Sequence, residues 1–386
     1  LATLANTTFN PNDQLVIQLP EGLVDLSTFT LQGKVTTAGG AAHGVYTPPV
    51  ECLIDSVYVE IGGVGVQTGF TSYAELFNIF RDYQMWDKKS LRGVLQLDNA
   101  PMGAETTASN YTCSAVPFAC YNWLGFLGSV KMLDTTIIPP VKIYLRLAPN
   151  AVLAQHAGNA STNTYQLTEV RAQVDILDIS DNLYYNMISQ RLAQAPLELP
   201  FTNFTTVNGS TGAQTQTTRF STSTDCLTDV IATFKHTNAL NNAWNSNSGL
   251  SSYFDRTAFG LTSSGFKING IPYPSIPCES AFGESFIDTA HTFNVAQDLV
   301  CQTNPNMKTL SLWNSNFFTH GHTFSYPEDD DGHRLIGLSG KGNMISGSWE
   351  TAGTGSSLTP LMWLKHKSVL RIGSGKMVTN FAIKCC

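Results

Sequence analysis

The sequence predicts an all-β fold: two β-sandwich domains in tandem, with a few short helices. Apolar residues alternate with period two along most of the chain, the alternating strands fall into two sets, and a helical segment separates the sets. At 386 residues the chain is too long for one compact sandwich and comfortable for two domains.

The strands are read residue by residue. Leu15, Ile17 and Leu19 share one face of an opening strand that Pro20 ends. Val57, Val59 and Ile61 alternate with Ser56, Tyr58 and Glu60 before Gly62 and Gly63 turn the chain. Val141, Ile143, Leu145 and Leu147 alternate with Lys142, Tyr144 and Arg146, and Val170, Ala172, Val174 and Ile176 with Arg171, Gln173 and Asp175. Such strands are antiparallel and half-buried.

Two helices are expected in the first two hundred residues. Ser72 and Glu75 make a capping-box pattern ahead of Leu76, Phe77, Phe80 and Tyr83 at helical spacing. The second helix covers 181–194, with Leu183, Met187, Ile188 and Leu192 on one stripe and Pro196 just beyond. That stripe is expected to pack on a sandwich. The domain reading is therefore 1–180, a linker helix over 181–195, and 196–386.

In the second half, Phe266 and Ile268 lead into the turn-rich NGIPYPS stretch, and Phe282, Phe286 and Ala290 fall at helical spacing. Strands are expected around Leu310 and Leu312, Leu361 and Trp363, Leu370 and Ile372, and 377–383. Long polar loops are expected at 203–224, 237–252 and 329–348.

Charged residues make up 13% of the chain, against about 25% in typical soluble proteins. Hydrophobic content of 42% excludes disorder as the cause, and a weakly charged polar surface suits a protein packed against its own copies. The net charge of −7 and the lack of a Lys/Arg cluster argue against direct nucleic-acid contact. No apolar run is long enough for a spanning helix, and the first twenty residues lack a signal-peptide pattern. The eight cysteines include no CxxC or zinc-type spacing and are expected to be free thiols, which fits assembly in a reducing cytosol.

GGVGVQTG at 62–69 has the wrong glycine spacing for a phosphate loop and reads as a glycine hairpin. GKG at 340–342 fails as a Walker loop, and there is no GxSxG. Glu51, Asp55 and Glu60 lie in one strand region, with nothing that sets them opposite a partner carboxylate. No catalytic or cofactor-binding residue is expected, so the chain reads as a non-enzyme.

The one concentrated set of metal-type ligands is His320 and His322, followed by Glu328, Asp329, Asp330, Asp331 and His333. Histidines two apart on a strand face the same way and suit a transition metal; the acidic run suits calcium at a subunit contact, or plain solvation. Asn6, Asn110, Asn159, Asn203 and Asn208 lie in N-x-S/T sequons, and Trp86, Trp123, Trp313 and Trp363 are either sugar-stacking platforms or core. Those features would serve a secreted carbohydrate-binding or adhesive β-sandwich, the alternative function.

The chain runs from QLVIQLPEG to IDSVYVEIGG followed by SYAELFNIFRDY, then to YQLTEVRAQVDILDIS leading through DNLYYNMISQRL into PLELPF. In these segments it resembles the double jelly-roll major capsid proteins of the adenovirus hexon and tailless icosahedral bacteriophage lineage, especially those of lipid-containing phages. The resemblance implies two tandem jelly rolls and a homotrimer that is a pseudo-hexagonal block of an icosahedral shell. It also implies neighbouring trimers, penton and minor capsid proteins, and an internal lipid membrane as partners, in a virion assembled in the host cytoplasm.

Overall fold

The computed structural model describes residues 3–4, 7–38, 45–46, 50–84, 116–155, 164–179, 182–209, 216–221, 226–236, 244–245, 250–258, 260–279, 283–293, 307, 309–324, 337–339, 344–351 and 358–382.

In the first half the long strands are β1 (Gln14–Gln18), β2 (Leu23–Ala38), β3 (Ile54–Ile61), β4 (Val64–Phe70), β5 (Val116–Cys120), β6 (Val141–Leu147) and β7 (Thr164–Leu177). One antiparallel sheet runs β1-β6-β3-β4, and a second runs β7-β2-β5. The predicted alternation sets the register of the first sheet. Ile17, Ile143 and Val59 form one buried row, and Leu15, Leu145 and Val57 the next. Gly62 and Gly63 make the two-residue β3–β4 turn with φ of 57° and 85°, a conformation that favours glycine, so the 62–69 segment is the expected hairpin.

The second half contributes β8 (Leu197–Asn208), β9 (Gln216–Ser221), β10 (Leu227–His236), β11 (Leu261–Ile268), β12 (Ile271–Glu279), β13 (His320–Thr323), β14 (Met344–Thr351), β15 (Leu358–Gly373) and β16 (Met377–Ala382). Its sheets run β8-β15-β10-β13, with β16 on β15, and β9-β14-β11-β12. Strands β8 to β15 thus interleave between two sheets in the order of a jelly roll, with β11 and β12 as the hairpin that stays within one sheet. Among the described residues every hydrogen-bonded strand pair lies within one half. The fold is two jelly-roll sandwiches in tandem.

Among the described residues the α-helices are α1 (Tyr73–Gln84), α2 (Phe126–Ser129), α3 (Asn182–Gln194), α4 (Glu284–Thr292) and α5 (Leu310–Asn316). Five expectations are corrected. The segment at Leu310 and Leu312 is helix α5, not a strand: Thr309 caps it by accepting from the Leu312 N–H, and Trp313 and Phe317 bury one stripe at i, i+4. Within 203–224, β8 continues to Asn208 and β9 covers Gln216–Ser221; threonine is a strand former even where it is polar. Trp244–Asn245 and Leu250–Ser251 pair as short strands inside 237–252, and β14 begins at Met344. Finally, α3 buries no residue: Leu183 and Met187 are 60% and 61% exposed, and Tyr184, Ile188 and Leu192 form the half-buried stripe.

Candidate functional site: the seam between the sandwiches

Helix α1 carries the contact between the two halves. The sequence marks one apolar stripe on it, yet every residue from Tyr73 to Tyr83 is buried, including Glu75, Asn78, Arg81 and Asp82. A helix buried all round needs partners for its charges, and those partners come from the second half. Arg256 donates to Asp82 at 2.6 Å, beside Arg81 at 3.3 Å from the same carboxylate. The Lys235 ammonium pairs with Glu75 and stands 4.0 Å over the Tyr253 ring. The expected capping box does not form: Ser72 takes a φ of 53°, and Glu75 turns to Lys235 instead. Asp55 lies nearby, its carboxyl raised by burial and then by the charge of Glu75.

Aromatic rings fill the rest of the seam. Phe204 stacks on Phe70 at 5.0 Å, Phe293 stacks on Tyr83 at 4.9 Å and meets Phe80 edge-on at 5.0 Å. The Trp313 indole N–H donates to the Tyr83 hydroxyl at 2.7 Å, and burial raises that phenol. A second contact lies at α2. Gln67 accepts from the Phe126 N–H at 2.6 Å, Phe126 meets Phe201 edge-on, and Ser129 accepts from the Thr202 N–H.

The signal for this seam was present in β10 and β15. Leu361, Met362, Trp363 and Leu364 are all buried, but they divide by parity. Met362 and Leu364 face the core inside the second sandwich, and Leu361 and Trp363 join the core shared with the first half. Val230, Ala232 and Phe234 divide from Ile231 in the same way. Unbroken apolar runs mark a sheet covered on both faces.

Of the candidate metal ligands, His320 and His322 converge on Asp288 of α4, at 3.2 and 2.8 Å. Burial raises the Asp288 carboxyl, but the hydrogen bonds with both histidines outweigh it and hold the group below its ordinary value. Cys278 on β12 joins Asp288 and His320 in a cluster whose ligand atoms lie within 4.8 Å of one another, and burial with the Asp288 and Glu284 charges pushes its thiol up to about 12. Sequence reasoning missed Asp288 and Cys278, which lie 32 or more residues from the histidines. Glu328, Asp329, Asp330, Asp331 and His333 lie outside the described residues, as do Trp86 and the sequons at Asn6, Asn110 and Asn159.

Trp123, Trp313, Trp349 and Trp363 are buried and offer no face to a sugar. Asn203 is buried and donates to the Val66 carbonyl, so its sequon is closed to glycosylation. Cys52, Cys120, Cys226 and Cys278 are buried. No described helix is long and apolar enough to cross a membrane.

This architecture is shared along the whole chain by solved structures of viral proteins. PBCV-1 VP54, fitted into a reconstruction of the virophage Sputnik, is similar with a TM-score of 0.61 and 13% identity, over 98% of this chain and 94% of that one. A chain of the Sputnik virophage itself gives 0.56 and 10%, over 99% and 88%. The Faustovirus major capsid protein gives 0.55 and 7%, over 96% and 90%. No protein-family model and no curated protein sequence matches the chain.

Proposed function

We propose that this chain is a major capsid protein, a structural building block without catalytic activity. The observation that carries the reading is end-to-end likeness to capsid proteins, including the Faustovirus major capsid protein, through both sandwiches rather than one. Residues 1–180 and 196–386 form the two jelly rolls, and 181–195 the linker helix. Three chains place six comparable blocks around one axis, so the homotrimer is a pseudo-hexagonal tile of an icosahedral shell. The buried ion pairs and ring stacks of the seam suit a tile whose two blocks keep a fixed relation.

The partners follow from that role: two further copies in the trimer, neighbouring trimers, penton and minor capsid proteins, and a lipid membrane beneath the shell. The net charge of −7 argues against contact with the genome. The chain resides in the virion. Trimer contacts of this kind bury about 2,000–5,000 Å² and are mainly apolar. Analytical ultracentrifugation with negative-stain microscopy tests the reading. The expected result is a trimer with hexagonal outline that persists in reductant and in roughly 1 M salt, where exposed charges are screened. A monomer under all conditions would overturn it.

A further inference from the structure

We propose that Cys278, Asp288 and His320 form a binding site for a thiophilic divalent transition metal of the zinc type, with His322 as the residue that positions the carboxylate. Three separate elements supply the ligands: β12 the thiol, α4 the carboxylate and β13 the imidazole. Their ligand atoms lie within 4.8 Å of one another, with Cys278 and His320 buried and Asp288 half-buried. One sulfur, one nitrogen and one carboxylate oxygen are the donor types of zinc; calcium takes six to eight oxygens.

Two further observations point to a ligand. His320 is 1% exposed; its Nε2 meets Asp288 at 3.2 Å, and its buried Nδ1 has no hydrogen-bond partner among the described residues. His322 meets both oxygens of Asp288, at 3.1 and 2.8 Å, and its ring lies against Phe324 and Tyr273. Ligating carboxylates are held in this way from outside the coordination shell. On binding, the Cys278 thiol gives its proton to solvent and the thiolate bonds the metal dication, with no change of oxidation state.

The test is titration of the metal-free full-length chain with cobalt(II) in a non-chelating reductant, followed by displacement with zinc. The expected result is thiolate-to-cobalt charge-transfer absorption with the intense visible bands of a tetrahedral site, saturating at one metal per chain. Cys278→Ser should abolish the charge-transfer band, Cys226→Ala should keep it, and His322→Ala should weaken binding about 10–100-fold. Absence of the band in the folded wild-type protein at excess cobalt overturns the proposal, and so does a full-strength band in Cys278→Ser. If Cys278→Ser does not fold, the near-isosteric Asp288→Asn decides: an affinity loss of tenfold or more supports the site, and unchanged affinity overturns it. None of these outcomes bears on the capsid reading, which rests on oligomeric state.

Discussion

Arg256 and Asp82 meet across the seam with at most 3% of either side chain exposed. A buried pair contributes little beyond what its own desolvation costs, but removing one member strands the other. Asp82→Ala should therefore cost about 3–5 kcal/mol in chemical denaturation, while Asp82→Ala combined with Arg256→Met should recover only the share due to Arg256, because Arg81 loses the same carboxylate. His366 is the second residue with a clear consequence. Burial lowers its imidazole to about 4, between the hydroxyls of Thr205 and Ser368 at 3.2 and 3.3 Å. The unfolded chain takes up that proton near the ordinary value, about 6.5, well before the folded one. Its contribution is thus fully present above pH about 6.5 and declines as pH falls towards about 4, by roughly 3 kcal/mol. Stability curves of wild type and His366→Gln should separate in that window and run parallel above it.

Among the elements, α3 gives the plainest test. Of the stripe the sequence marks, Leu183 and Met187 face out, whereas Ile188 and Leu192 belong to the half-buried row that Tyr184 begins. Met187→Asp should change the stability of the isolated chain by no more than about 0.5 kcal/mol, as surface substitutions do. A thermal melt lowered by several degrees would show that the helix is covered. The half-buried strands were legible because one core defines one face, as in β1, β3 and β6. The strands of the seam were harder to read: β10 and β15 serve two cores at once, and period two disappears when both parities are apolar. Helix α1 was legible as a helix but not as a buried one, because Glu75 reads as a capping acid and nothing in the local sequence places Lys235 and Arg256 beside Glu75 and Asp82. The metal-type cluster was half legible: the two histidines are neighbours on one strand, whereas Asp288 and Cys278 reach them only through the fold.

For the whole molecule, the shared core predicts that the second sandwich is not self-sufficient. Without the first half, Phe201, Phe204, Ile231, Leu361 and Trp363 would leave one sheet face uncovered. Burial of such side chains is worth about 1.5–3 kcal/mol each. A chain of residues 196–386 alone should bind a hydrophobic dye and aggregate, whereas the full chain should unfold in one transition. Two well-separated transitions in the full chain would show that the seam couples the halves weakly.

The same seam sets a schedule for synthesis. Residue Asp82 leaves the ribosome 174 residues before Arg256, and Tyr83 leaves 230 before Trp313. At roughly 5–20 residues per second the first of these gaps lasts about 10–35 seconds. Once β7 has been made, α1 has its own sandwich beneath it and open water where its second set of partners will sit. The N-terminal half therefore waits, with charges still solvated, as the surface on which the C-terminal half is completed.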